Sequence, residues 1–365
     1  MGVFCTIVPP HVLDTLARSG DEALSEPARR TLAHDARERT QRRLTTVVGV
    51  TGTTGAAAED QPRRTVFDAK HKDALPGRRL RAEGAKPSKD ASANRAYDAL
   101  GATFETYLKA YGRHSIDGQG LPLNASVHYL QGYNNAFWNG EQMVFGDGDG
   151  RIFLDFTIPL DVIGHELTHG VTQYSANLDY FGQSGALNES VSDVFGSLIK
   201  QYALGQSADQ ADWLIGAGLL APGVQGHALR SMKEPGTAYD DPRLGKDPQP
   251  GSMSGYVTTS QDNGGVHINS GIPNRAFYLV AAALGGNAWE RAGQVWYDTL
   301  TGGSLSAHAD FAGFAAVTVA AATARYGEGA EVVAVRSAWS EVGVTPAAAA
   351  PAVPRQQPGE QPQQA

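Results

Sequence analysis

Apolar residues change their spacing along this chain, and the changes divide it. After Asp90, the residues Tyr97, Leu100, Phe104, Tyr107, Leu108 and Tyr111 recur at helical spacing, which predicts an amphipathic helix. Short runs at Val127-His128-Tyr129-Leu130 and Gln142-Met143-Val144-Phe145, each followed by a glycine turn, predict strands. The second half returns to helical spacing, with helices predicted over Ala186–Tyr202, Ile268–Leu284, Trp289–Leu300 and Ala307–Arg325. Strands first and helices second predict an α+β lobe followed by an α lobe.

The flanks read differently. Residues 1 to 43 are rich in arginine and acids, with short helical patterns such as Val12, Leu13, Leu16 and Ala17. Residues 44–64 hold Thr51-Gly52-Thr53-Thr54-Gly55 and end in Arg63-Arg64, an exposed linker or loose strands by composition. The globular signal covers 65–345. From Pro346 the chain is rich in Ala, Pro and Gln, which cannot bury a core, so 346–365 are expected to be a disordered tail.

Composition narrows the function classes. At 365 residues and 38.6 kDa the chain exceeds one compact core, which favours two lobes. A net charge of −8 argues against a nucleic-acid partner. The single cysteine, Cys5, excludes an internal disulfide framework and a Cys-rich zinc module. The longest apolar stretch, around Phe311–Ala324, is too short to span a bilayer and ends at Arg325. Met1 to Pro10 lacks a basic start and runs into two prolines, so it does not read as a secretory signal. The expectation is a monomer, cytoplasmic on synthesis, with any export by another route.

The chemistry centres on His165-Glu166-Leu167-Thr168-His169. Four residues along a helix turn through about 400 degrees, so both imidazoles share a face and can share a zinc ion. Glu166 can then act as general base toward a metal-bound water. Chance alone places such a pentapeptide in roughly one percent of chains this long. A third ligand is needed. Glu189 lies 20 residues after His169, and Asp193 sits one turn further on the same face, placed to accept the remaining N–H of a ligand histidine. Alone, Glu189 and Asp193 also fit a solvated helix face.

These segments resemble the thermolysin-like neutral zinc metalloproteases. The resemblance rests on His165–Tyr174, on Gly185-Ala186-Leu187-Asn188-Glu189 and on Ser192-Asp193. It extends from about Thr65 to Val344 through Tyr133-Asn134-Asn135-Ala136-Phe137-Trp138, Gly146-Asp147-Gly148-Asp149-Gly150, Ala228-Leu229-Arg230-Ser231-Met232 and Asp262-Asn263-Gly264-Gly265-Val266-His267. It implies a two-lobed α+β fold, β-rich in the N-terminal lobe and α-helical in the C-terminal lobe, with the zinc helix between them. It also implies His165, His169 and Glu189 as zinc ligands, supported by Asp193 and Asn188. Asn135 and Ala136 would pair with substrate backbone, and Tyr180 and His267 would donate to the oxyanion, with Asp262 holding His267. Arg230 would bind a substrate carbonyl, and Val162 and Leu229 would line a pocket for large apolar residues after the scissile bond. Asp147-Gly148-Asp149-Gly150-Arg151 begins like a calcium loop, but Arg151 and Ile158 stand where ligands are needed, so a turn is the better reading.

Two further expectations come from the resemblance. Cys5-Thr6-Ile7-Val8-Pro9-Pro10-His11-Val12-Leu13 resembles the short prosegment of protealysin-like precursors, a subgroup of the family; an ordinary N-terminal extension is the alternative. Cys5 is then a latency candidate: its thiolate can bind zinc, or it is a small apolar contact while Pro9 and Pro10 block the cleft without pairing as a substrate does. Second, the double calcium site of thermolysin is expected to be absent. Asp161 and Asp212 remain, but Lys200, Leu214 and Ala217 replace the other acidic positions, and the Lys200 ammonium can stand where a calcium charge would.

The chain is therefore read as a prosegment (1–43), an N-terminal catalytic lobe (44–182), a helical C-terminal lobe (183–345) and a tail. The function expected is a zinc endopeptidase acting on peptides or proteins, made as a precursor that cuts itself near Arg43–Gly55. The rivals are a catalytically silent peptide-binding protein with the same cleft and a zinc enzyme acting on a non-peptide amide.

Overall fold

The computed structural model describes residues 5–44 and 60–347. Two helices open the chain: α1 (Pro10–Ala17), started by a proline whose missing N–H costs a first turn nothing, and α2 (Glu22–Leu44). A five-stranded sheet follows, built from β1 (Arg64–Asp68), β2 (Arg78–Ala82), β3 (Leu123–Val127), β4 (Ala136–Trp138) and β5 (Met143–Phe145). Its order is β2-β1-β3-β5-β4. The outer pairs are antiparallel, and β1–β3 and β3–β5 are parallel. Strand β4 therefore lies at an edge. Helix α3 (Ala91–Tyr111) packs on the sheet, capped by Asp90 accepting from the Ala93 N–H and closed by Gly112 at φ 65.

Helices α4 (Leu160–Gln173) and α5 (Gly182–Leu204) pack together and link the sheet to the helical part. Glycines let them approach closely: a Cβ on Gly196 would stand 2.6 Å from the Asp161 carbonyl oxygen. A short ribbon of β6 (Leu214–Ile215) and β7 (Arg230–Ser231) comes next. A second two-stranded ribbon, β8 (Asp240–Asp241) and β9 (Gly245–Lys246), precedes five helices: α6 (Asp262–Asn269), α7 (Gly271–Leu284), α8 (Ala292–Thr301), α9 (Phe311–Tyr326) and α10 (Ala330–Glu341). Their core includes Trp296 stacked on Trp339. Among the described residues, no helix is long and apolar enough to cross a membrane.

The expected helix after Asp90, the strand ending at Phe145 and the helical second half are present. The strand expected over Val127–Leu130 is not. It ends at Val127, because His128 and Leu130 adopt positive φ values of 56° and 50° and turn the chain away. The first zone holds a single long helix, α2, rather than short ones only. Gly148 and Gly150 at φ 73° and 68° form the expected turn, with Asp149 Oδ1 accepting from the N–H groups of Arg151, Ile152 and Phe153. The stretch 45–59 and the tail 348–365, where the processing site and disorder were expected, lie outside the described residues.

Candidate active site

Helix α4 carries His165 and His169 one turn apart, and α5 presents Glu189 to them; all three are buried. The two Nε2 atoms lie 3.0 Å apart. Glu189 Oε2 is 3.5 Å from His165 Nε2, and Oε1 is 3.4 Å from His169 Nε2. The other ring nitrogens are fixed. His165 Nδ1 meets Asp193 Oδ1 at 2.7 Å, and His169 Nδ1 meets Asn188 Oδ1 at 2.8 Å. Asn188 Nδ2 donates to the Leu178 carbonyl, which settles its orientation. Both Nδ1 atoms thus carry the proton, and both Nε2 atoms present lone pairs. Two imidazole lone pairs and a carboxylate converge here, and Glu189 Oε2 has no hydrogen-bond partner among the described residues. A cation answers that repulsion, and the N,N,O set suits zinc.

Burial differentiates the groups further. It opposes charge on His169 and lowers its pKa to about 4. Burial and then the Glu189 charge hold the Glu166 carboxyl well above its ordinary range. Glu166 Oε2 accepts from the Trp138 N–H at 3.1 Å, while Oε1 has no hydrogen-bond partner among the described residues. Asp193 is held below the ordinary range although its burial acts the other way, because Arg230 donates to both its oxygens at 2.8 Å.

Tyr180 and His267 face this centre from other elements. The Tyr180 hydroxyl donates to Glu189 and lies 3.3 Å from His267 Nε2. Asp262 accepts from His267 Nδ1 at 2.7 Å and from its backbone N–H at 2.9 Å. Burial works against charge on His267, but Asp262 and Glu189 outweigh it and raise its pKa to about 9. Helix α6 makes this possible with left-handed backbone at Asn263, Gly264 and Gly265, which folds Asp262 back over the ring.

The cleft beside β4 is filled by the chain's own N-terminus. The Ile7 N–H donates to the Ala136 carbonyl at 3.2 Å, and the Val8 N–H to Asn135 Oδ1 at 2.9 Å. Arg230 Nη1 donates to the Ile7 carbonyl at 3.0 Å. Ile7 is fully buried in the apolar cluster that contains Val162 and Leu229. Cys5 Sγ, a His169 ring nitrogen and a Glu189 oxygen lie within 4.8 Å of one another. One expectation needs correction: the diproline does not plug the cleft unpaired. Pro10 starts α1, and the residues before it pair with β4 as a substrate strand would.

Two contacts escaped sequence reasoning. Asn274 Nδ2 donates to Asp193 Oδ2 at 2.8 Å; an asparagine among apolar residues of α7 was the available signal. Asp35 on α2 accepts from Tyr133 at 2.5 Å and from Asn135 Nδ2 at 3.0 Å, and nothing in its polar surroundings marked it.

Comparison with known families agrees with this geometry. The family model for the thermolysin metallopeptidase catalytic domain matches residues 34–173, and that for its alpha-helical domain matches 176–344. The chain belongs to the thermolysin metallopeptidase family. It is 51% identical over 348 residues to an extracellular metalloprotease of Pectobacterium carotovorum, covering 93% of this chain and 96% of that one. It is 42% identical to thermolysin of Alicyclobacillus acidocaldarius over 289 residues, covering 76% of this chain and 50% of that one. Among solved structures it is similar to the precursor of protealysin from Serratia proteamaculans, with a TM-score of 0.85 and 52% identity over 93% of this chain and 100% of that one. The chain is thus a zinc metalloendopeptidase of the protealysin-like subgroup, with the two-domain thermolysin-like fold.

A second charged cluster joins α4 and α5 to the start of β6. Lys200 Nζ donates to Asp161 Oδ2 and Asp212 Oδ1, both at 2.7 Å, and to the Leu214 carbonyl at 2.8 Å. Burial works against the ammonium, but the two acids prevail and raise its pKa.

Proposed function

We propose that the mature enzyme cuts peptide bonds on the amino side of large apolar residues, and that the prosegment spans about residues 1–43. The convergence of His165, His169 and Glu189 lone pairs beside the unpartnered oxygen of Glu166 carries this reading. His165, His169 and Glu189 would hold the zinc, with Asp193 and Asn188 fixing the two imidazoles. When bound, zinc supplies Lewis-acid polarisation of the carbonyl and a lowered pKa for water. Glu166 takes the proton of the attacking water and delivers it to the leaving amine. Tyr180 and the charged His267, steadied by Asp262, donate to the developing oxyanion. Asn135 and Ala136 align the substrate backbone, Arg230 holds the carbonyl after the cut, and Val162 and Leu229 shape the apolar pocket.

The prosegment keeps the enzyme latent by occupying this cleft, with Cys5 as a further metal ligand or as a small apolar contact. Replacing Cys5 with Ala and timing maturation separates these two: ligation requires faster activation. The Lys200 ammonium replaces the double calcium site. Relatives named extracellular support action outside the cell. A peptide-binding protein without turnover is disfavoured, because base, ligands and oxyanion donors are all retained. The test is hydrolysis of casein or a furylacryloyl peptide by the processed chain. Activity should vanish with a zinc chelator and return with zinc; metal-replete protein that binds but never cuts would establish the silent reading.

A further inference from the structure

Residues 6–8 meet the substrate-binding groups in consecutive order. The Thr6 carbonyl accepts from His267 Nε2 at 3.1 Å. The next group along the chain, the Ile7 N–H, donates to the Ala136 carbonyl at 3.2 Å. The Ile7 carbonyl then accepts from Arg230 at 3.0 Å, and the Val8 N–H donates to Asn135 at 2.9 Å. A peptide laid along a strand edge presents its N–H and C=O groups in fixed alternation, so four contacts in order define one register and one chain direction. In that register, the carbonyl facing the oxyanion donor belongs to Thr6, and the amine that would leave belongs to Ile7. Ile7 itself is fully buried, as a residue seated after the cut would be.

We infer that Thr6–Ile7 is a self-cleavage site, at which the precursor removes its own first six residues in cis. This rests on the proteolytic reading above. One water is consumed: its oxygen bonds to the Thr6 carbonyl carbon, the bond from that carbon to the Ile7 nitrogen breaks, and Glu166 carries a water proton to that nitrogen. The products are a Thr6 carboxylate and an Ile7 amine, and no other reactant is required. Cys5 leaves with the released hexapeptide, while α1 and α2 remain joined to the chain. The Cys5 sulfur lies beside His169 and Glu189, so Cys5→Ala should speed this first cut.

The test follows the purified precursor by intact mass, with N-terminal sequencing of every prosegment fragment released. A chain beginning at Ile7 should appear at a rate unchanged by dilution, and it should not form in Glu166→Gln. Fragments that still begin at residue 1 or 2 after full maturation would overturn the inference. So would an Ile7 terminus that forms more slowly on dilution, since that cut comes from another molecule. A readout without turnover is amide exchange in the Glu166→Gln precursor. The Ile7 and Val8 N–H groups should be protected; fast exchange at both would remove the register itself. Failure of the proteolytic reading looks different, because the processed chain would then leave apolar peptides uncut as well.

Discussion

Helices α4 and α5 anchor two acid clusters whose charge is neutralised in different ways. At one end Glu189 faces two histidine lone pairs, with the Tyr180 hydroxyl and the His267 ring on its other side, and a metal ion would complete the neutralisation. At the other, Asp161 and Asp212 meet Lys200, and the chain supplies its own cation. A buried carboxylate is costly unless matched, so both clusters need a positive charge. They differ in what the charge must do. A lysine has no position to offer a substrate oxygen, whereas a metal held by three ligands does.

The largest expected effects break the first cluster. His165→Ala or Glu189→Ala should lose zinc and all measurable activity, read by metal content and peptide hydrolysis. Glu166→Gln should keep zinc, because Glu166 is no ligand, yet lose at least about a hundredfold in kcat/KM. Near-normal turnover in Glu166→Gln would make the assignment of the base wrong.

The second cluster should respond in stability alone. Lys200→Ala leaves Asp161 buried without its cation and should destabilise the fold by about 3–5 kcal/mol in chemical denaturation. A calcium-selective chelator should leave the wild-type Tm nearly unchanged, since the Lys200 ammonium already neutralises Asp161 and Asp212. A large rise in wild-type Tm on adding calcium would dissolve the contrast between the two clusters.

How legible these clusters were depends on where their members sit in the chain. His165 and His169, or Glu189 and Asp193, lie one turn apart on a single helix, so spacing alone placed each pair on one face. Tyr180, Arg230, His267 and Asn135 come from separate elements, and only the family resemblance assigned them roles. Helix α2 was hidden because Thr31, His34 and Asp35 share its buried face with Leu24 and Ala28, which erases the apolar stripe. Strands β1 and β2 gave no alternation, since only Val66 is fully buried in the first and no residue in the second. The misplaced strand at Val127 turned on positive φ at His128, which no apolar pattern reports.

A partly buried histidine extends the comparison. His11 on α1 has Nε2 3.1 Å from the Tyr239 hydroxyl and Nδ1 unpartnered among the described residues. Burial lowers its pKa to about 4; Asp262 and His267 of α6 and Arg230 of β7 also act on it, Asp262 in the opposite sense. The folded value lies below the unfolded one near 6.5. Stability is therefore present above pH 6.5 and lost as pH falls through about 4. The Tm of the Glu166→Gln precursor should fall over that window, and adding His11→Phe should make the fall shallower. Equal slopes would assign the acid sensitivity to other groups.

The smallest effect belongs to a partly exposed version of the Lys200 device. His128 bridges Asp147 Oδ1 at 2.8 Å and Asp90 Oδ2 at 2.9 Å, tying the cap of α3 to the turn after β5. His71 also faces Asp147, at 3.5 Å. The hydrogen bond to Asp147 outweighs burial and, with that to Asp90, raises the His128 pKa to about 9. Here the folded value lies above the unfolded one, so the contribution is full below pH 6.5 and lost as pH rises through about 9. Solvent and salt screen such a pair, which keeps the effect small. His128→Asn tolerates the positive φ and isolates the charge. The Tm difference between wild type and this variant should shrink as pH passes about 9, and shrink at any pH with added salt. A difference independent of pH and salt would mean that His128 acts through its turn geometry, leaving Lys200 as the only one of the two that stabilises by charge.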